Sequence, residues 1–177
     1  MNNFESLTNR RTEKPFLPAI RPDEDPLRVE DALQEAQILD VRCECVTQTV
    51  GILLEMRMAF AGGANLAALI VGRGVRDFGW ECTKTNTGDG SSFGHAWTIG
   101  DTIVTRDGTL LKLRIVGISN AQLRVSAHDF EYYLAEVPGL DSAPPDYGEG
   151  PDEVVRTNLP DWKRPVTLVG SSWRVAD

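Results

Sequence analysis

The sequence predicts a mainly-β protein, an antiparallel sandwich or open barrel of about eight strands with one short N-terminal helix. Three observations support this fold class. Apolar and polar residues alternate with a period of two through much of residues 39–137. Turn-forming pairs such as Asp107-Gly108 separate the alternating segments. The segments also follow one another at the short spacing of β-hairpins.

The chain divides into three regions. Residues 1–26 carry four prolines among mixed charges and show no apolar period, which predicts an extended or disordered arm. Residues 29–36 are rich in helix formers and place apolar side chains at i, i+4 and i+7, so we expect the short helix there. This helix opens a β domain over residues 27–140. An irregular acidic segment and a C-terminal tail, residues 141–177, should pack on that domain.

The strands follow from the alternation of side chains. The unbroken pattern in residues 39–45 places Cys43 and Cys45 on a buried face. Residues 66–71 are apolar on both faces and fit a central strand or a buried helical turn, and their short length favours the strand. Asp107-Gly108 predicts a type I′ turn, in which both central residues need positive φ. The predicted strands are 39–45, 50–58, 66–71, 75–82, 93–98, 102–106, 109–116, 122–126 and 130–137, with a turn at Gly100-Asp101.

The C-terminal region changes character. Residues 144–151 hold three prolines and two glycines, which requires irregular backbone. Residues 153–157 and 166–169 are interpreted as short edge strands. Trp162 and Trp173 are the side chains most suited to anchor this region to the β domain.

Composition excludes several classes of protein. The formal net charge is −8, with 18 basic and 26 acidic residues, so the basic surface that nucleic acid requires is missing. No apolar run is long enough to span a membrane, and the N-terminus lacks the apolar stretch of a signal peptide. An odd count of three cysteines fits reduced thiols. We therefore expect a cytoplasmic protein that binds neither nucleic acid nor membrane.

Few residues offer catalytic chemistry. Cys43, Cys45, Cys82 and His95 would supply four soft metal ligands, but the first two are closer in sequence than the cysteines of a zinc knuckle. Their predicted burial favours plain core cysteines. His128 is followed directly by an acid, and adjacent residues on a strand point to opposite faces, so the two cannot form a dyad. The sequence predicts no catalytic residue, no cofactor site and no metal site.

An acidic segment, residues 141–161, carries six acids and one base. One interpretation is a solvated loop that keeps the protein in solution. The other is a negatively charged surface for a basic protein, because clustered carboxylates steer association with a positive partner. A tyrosine within the segment would then anchor the interface. The predicted partner-binding residues are Asp141, Asp146, Tyr147, Glu149, Asp152 and Glu153.

Four short segments carry a family resemblance: LLEMR at 53–57, GVRDFGW at 74–80, FEYY at 130–133 and LDSAPPDY at 140–147. Together they resemble small, uncharacterised β-rich proteins of high-GC actinobacteria, some of whose broader relatives are regarded as immunity proteins of polymorphic toxin systems. The resemblance covers roughly residues 27–165 and brings no catalytic set with it. What it implies is a binding protein.

Three functional hypotheses follow. The first is a non-catalytic protein-binding module, of the immunity type, that neutralises a basic toxin such as a nuclease through its acidic surface. The second is a small-molecule binder or enzyme with a pocket in the mouth of the sheet, lined by Trp80, His95 and Trp97. The third is an assembly protein whose N-terminal arm lies across a neighbouring subunit. The sequence leaves the partner and the oligomeric state open.

Overall fold

The computed structural model describes residues 2–9, 19–59, 63–82, 97–118, 121–145 and 152–176. Two short helices and nine strands lie within these ranges. The helices are α1 (Phe4–Asn9) and α2 (Asp152–Thr157). The strands are β1 (Gln37–Glu44), β2 (Thr49–Glu55), β3 (Leu66–Arg73), β4 (Asp77–Cys82), β5 (Trp97–Asp107), β6 (Leu110–Gly117), β7 (Ala121–Ala127), β8 (Asp129–Glu136) and β9 (Thr167–Val175).

The nine strands form one open sheet in the order β4-β7-β6-β5-β1-β2-β3-β8-β9, and neighbouring strands are antiparallel. The predicted mainly-β, antiparallel fold is confirmed. Residues 66–71 belong to β3, which lies between β2 and β8 and is buried on both faces. This position explains why β3 shows no alternation. No helix in the described ranges is both long enough and apolar enough to cross a membrane.

The main core lies between the two halves of this sheet. One half, β2, β3 and β8, and the other half, β5, β6 and β7, contribute to a single apolar cluster. The sheet therefore folds over on itself and buries its inner face, with each fully buried large aliphatic side chain contributing roughly 1.5–3 kcal/mol. Representative members are Ile52, Leu54, Ile70, Phe130, Ile99, Leu113, Ile115, Leu123 and Val125.

A second apolar layer covers the outer face of β2, β3 and β8. Phe4 and Leu7 of α1 pack there with Leu53, Tyr133 and Trp162. The indole N–H of Trp162 donates to the Asp40 carboxylate at 2.6 Å. Trp162 therefore joins the C-terminal region to the sheet, and α1 is part of the same layer.

Residues 29–36 do not form the expected helix; they form a series of turns. Asp31 and Glu35 have φ angles of 61° and 66°, values that an α-helix excludes. The backbone here pairs with β5 instead: the Glu35 N–H donates to the Ile99 carbonyl at 3.0 Å, and the Ile99 N–H donates to the Ala36 carbonyl at 2.8 Å. Leu33 and Ala36 are buried. Of the three apolar residues on the helical spacing, Val29 is only half-buried, so the spacing identified two buried residues while tertiary hydrogen bonds set the conformation.

The short N-terminal helix lies instead at α1, inside the range expected to be an extended or disordered arm. The side-chain oxygen of Asn3 accepts the Ser6 N–H at 2.7 Å, which is the bond of a helix N-cap. Phe4 and Leu7 are fully buried against their own chain. Residues 4–9 therefore belong to the outer layer of this subunit, and Ile20 packs against the main core. Both contacts are within the same chain, which weakens the case for an arm that reaches a neighbour.

Three local predictions are wrong. Residues 153–157 form most of α2 rather than an edge strand. Gly100-Asp101 is not a hairpin turn: β5 runs through it, with a register shift between Ile99 and Asp101 that is typical of a bulge. The turn of the β5–β6 hairpin is shifted by one residue, because Asp107 pairs with Leu110 and only Gly108 of the central pair has positive φ. Glycine in the first central position fits a type II′ turn. Residues 93–96 lie outside the described residues.

Candidate functional site

The acidic segment is attached to the sheet through a buried ion pair. Glu55 is the last residue of β2, and neither its side chain nor that of Arg57 has exposed surface. Arg57 Nε donates to one carboxylate oxygen of Glu55 at 2.8 Å, and Nη2 donates to the other at 2.6 Å. Two parallel charge-assisted hydrogen bonds fix the orientation of the guanidinium.

The guanidinium also binds the acidic segment. Arg57 Nη1 donates to the backbone carbonyls of Asp141 and Ala143, both at 2.9 Å. Nη2 donates to the carbonyl of Asn158 at 2.8 Å. The Arg57 side chain therefore holds the acidic segment at its first residues, 141–143, and again just after α2, at Asn158. Because Glu55 fixes this side chain, the two ends of the acidic segment have a fixed position on the protein.

The predicted partner-binding residues are only partly described. Asp141 is exposed, its N–H donates to the Asn158 side chain at 3.1 Å, and the Asn158 amide donates back to its carboxylate. Glu153 is exposed on α2, which begins at Asp152. The structure thus brings Asp141 beside the end of α2. Three further predicted residues, Asp146, Tyr147 and Glu149, lie outside the described residues.

Two of the three residues predicted to line a small-molecule pocket, Trp80 and Trp97, are in contact. The rings of Trp80 on β4 and Trp97 on β5 have centroids 4.1 Å apart with an interplanar angle of 54°. Trp80 remains 38% exposed, as does Phe78 on the same edge strand. Trp80 pairs with the buried Leu123, so the aromatic pair lies at the rim of the core. His95 lies outside the described residues.

Cys43 and Cys45 are exposed, which contradicts their predicted burial. The alternating segment does form a strand, but Cys43 is the penultimate residue of β1 and lies beyond the last residue of this strand that packs against the core, Val41. Cys45 is the first residue of the turn that follows β1. Among the residues that the structure describes, no three histidine, cysteine, aspartate or glutamate side chains come together to hold a metal ion.

A second ion pair, largely buried, joins β3 to β8 and was not predicted from the sequence. Arg73 on β3 donates to both carboxylate oxygens of Glu131 on β8, at 2.8 and 2.9 Å. Its remaining donors reach the carbonyls of Leu7 and Thr8 at the end of α1, at 3.1 and 3.0 Å. Arg73 thus does for α1 what Arg57 does for the acidic segment. A signal was present in the sequence, because Glu55 and Arg73 directly follow the apolar stretches of β2 and β3, and a charge that is buried there requires a partner.

The carboxyl group of Asp129, at the start of β8, lies beside this ion pair. Burial, together with the nearby charge of Glu131, raises the pKa of Asp129, and the opposing charge of Arg73 does not cancel the effect. The folded protein then retains a proton that the unfolded chain has already lost. Stability therefore falls as the pH rises from the ordinary value near 3.8 through the raised pKa of the folded state.

The Asp129→Asn variant should remove this pH dependence. We expect its free energy of unfolding, relative to that of the native protein, to improve as the pH rises from about 4 to about 7. Urea unfolding at several pH values measures this difference. Asp107→Asn is the control: a hydrogen bond from Lys112 lowers the pKa of Asp107, so its pH dependence lies mainly below about pH 4 and its free-energy difference from the native protein should change little from about pH 4 to about pH 7. Parallel trends for the two variants would contradict the assignment.

Comparisons with known proteins place few limits on function. No protein family matches the chain, and no curated protein matches it. Among solved structures, one match is described as the crystal structure of an uncharacterized protein from Neisseria gonorrhoeae. It shares 9% sequence identity over 56% of this chain and 90% of that chain, with a TM-score of 0.43.

Proposed function

We propose that this protein is a non-catalytic protein-binding module that presents its acidic segment to a basic partner. The observation that carries the proposal is the buried Glu55–Arg57 pair, which fixes both ends of that segment. A loop that serves only to keep the protein in solution needs no such attachment. A fixed attachment lowers the entropy that the segment loses when it binds, which favours a binding role.

The partner that fits this surface is a protein with a basic face. Residues 141–161 have six acids and one base, and Asp141 and Glu153 are exposed. Such a charge density raises the rate of association with a positive surface and opposes binding of acidic competitors. An immunity-type protein that covers the basic, substrate-binding face of a toxin such as a nuclease is the specific form of the proposal. The family resemblance of the sequence agrees with it.

Charge neutralisation tests this proposal. The test variant carries Asp141→Asn, Asp146→Asn, Glu149→Gln, Asp152→Asn and Glu153→Gln. The probe is the purified product of the gene immediately upstream, because immunity proteins are encoded beside the toxins that they block. We expect the native protein to bind it, and the variant to bind at least about tenfold more weakly and with less dependence on salt. Isothermal titration calorimetry at two salt concentrations measures both effects.

A matched control separates local charge from total charge. It neutralises five exposed acids elsewhere and has the same net charge as the test variant; these are Asp23, Glu30, Glu35, Asp77 and Glu136. The control should bind as the native protein does. An upstream product that does not bind, or equal affinities for the native protein and the test variant, would overturn the proposal. Equal weakening in the control would show a general charge effect instead of a site.

A further inference from the structure

The two edge strands of the sheet, β4 and β9, differ in what covers them. The edge of β9 is partly paired by the chain itself, because Ala19 forms a parallel bridge with Ser171 and the Ile20 N–H donates to the Ser171 carbonyl at 3.1 Å. Among the described residues, β4 has β7 as its one hydrogen-bonded neighbour. Within that part of the chain, the backbone groups on the other side of β4 face no strand, and such groups are a template for a further strand.

One face of β4 is aromatic. Phe78 and Trp80 lie opposite Val125 and Leu123 of β7, which are buried in the main core, so the two aromatic side chains lie on the same face of the sheet as that core. Each remains 38% exposed, and β4 is the last strand at this rim. A strand added beyond β4 would place alternate side chains beside these exposed aromatic surfaces.

The other face of β4 is polar. Asp77 and Glu81 are exposed there, with Gly79 between them. Glu81 has an ion pair with the exposed Arg124 of β7. No residue that the structure describes forms an ion pair with Asp77, so Asp77 is the acid on this face that a partner would neutralise.

The charges of β4 favour a basic segment over a second copy of the same strand. Residues directly opposite each other in an antiparallel pair share a face, so self-pairing gathers Asp77 and Glu81 of both copies on one face. The register centred on Gly79 sets Asp77 directly opposite Glu81, and like charges in that position destabilise a strand pair. Basic residues at the same positions replace this repulsion with attraction.

We propose that β4 binds an extended segment of another protein by antiparallel strand addition. The segment places two apolar residues opposite Phe78 and Trp80, and basic residues opposite Asp77 and Glu81. Backbone hydrogen bonds supply affinity in this mode of recognition, and the alternate side chains supply specificity. This surface is separate from the acidic segment, so the proposal does not depend on the proposed function.

Synthetic peptides test β4 in the full-length protein. The probe is the capped peptide Lys-Val-Thr-Val-Lys, labelled with fluorescein and followed by fluorescence anisotropy. We expect saturable binding with a dissociation constant below about 1 mM. The control Val-Lys-Thr-Lys-Val has the same composition with its two faces exchanged, and should bind at least about fivefold more weakly.

Backbone methylation separates strand pairing from side-chain contact. Two versions of the probe carry N-methyl groups on alternate residues. Because only alternate N–H groups of an added strand point toward its neighbour, one version should lose binding and the other should keep it.

Charge reversal at Asp77 fixes the register. In antiparallel pairing the last residue of the probe lies opposite Asp77, so Lys-Val-Thr-Val-Glu should bind the native protein at least about threefold more weakly than the probe. The Asp77→Lys variant should reverse this preference. Asp23→Lys makes the same change of net charge at an exposed turn before β1, and should keep the native preference. Circular dichroism checks that both variants keep their strand content.

Several results would overturn the proposal. The first is a native protein that shows no saturable binding of the probe up to about 1 mM. Equal binding of the two methylated peptides would show that the β4 backbone is not paired. An unchanged preference in Asp77→Lys would place the peptide elsewhere on the protein. A native dimer that the probe dissociates, measured by analytical ultracentrifugation, would assign the β4 edge to a second copy instead.

Discussion

Replacing Arg57 with alanine is expected to destabilise the protein by about 3–5 kcal/mol. The substitution leaves the Glu55 carboxylate buried without its partner, and it removes the hydrogen bonds to the carbonyls of Asp141, Ala143 and Asn158. A buried charge without a partner is among the largest costs that a single substitution imposes. Urea unfolding followed by circular dichroism measures the loss.

Two further variants make this test specific. Arg114→Ala removes an exposed ion pair with Asp101 of similar length, 2.7 Å, and should cost only about 0–1 kcal/mol. Replacing Glu55 with leucine and Arg57 with methionine together removes both charges, and should recover part of the loss. If Arg57→Ala costs no more than Arg114→Ala, the buried pair does not hold the acidic segment.

Replacing Phe4 with alanine should also destabilise the fold by about 3–5 kcal/mol. The Phe4 side chain is fully buried in the outer layer, although it lies only four residues from the N-terminus. α1 has six residues, and a helix of that length depends on packing for its stability. We therefore expect the loss of this ring to destabilise the fold in two ways. It leaves a cavity in the outer layer, and it detaches α1 from that layer.

The comparison for Phe4 is Val46→Ala, at a position that is 93% exposed in the β1–β2 turn. That substitution should change stability by no more than about 0.5 kcal/mol. Thermal unfolding of the three proteins measures the two differences. Equal unfolding temperatures for Phe4→Ala and Val46→Ala would mean that α1 is not part of the folded layer.

The sequence was sufficient for the sheet, because a period of two is set by strand geometry itself. β6 shows this well: its buried and exposed residues alternate along the strand as the pattern indicates. The short length of the apolar run at residues 66–71 predicts β3. Residues 29–36 show the limit, since their buried side chains followed a helical spacing while hydrogen bonds to β5 imposed another backbone.

The attachment of the acidic segment could not be predicted from the sequence. In the alternating pattern of residues 50–58, Glu55 and Arg57 fall on the face opposite the apolar residues Ile52, Leu54 and Met56. In the fold that face is covered by residues from beyond position 140, and the charges therefore pair with each other and with distant carbonyls. Local periodicity reports which face of a strand is polar. It does not report which distant segment covers that face.

The bridge between Asn2 and Val166 has a consequence for how the chain is made. The ribosome produces α1 long before Trp162 and Val166, which are among the residues that this N-terminal segment contacts. The outer layer therefore closes only after residue 166 has left the exit tunnel, whereas the β1–β2 and β2–β3 hairpins can pair much earlier. Until then, Phe4 and Leu7 lack part of their native cover.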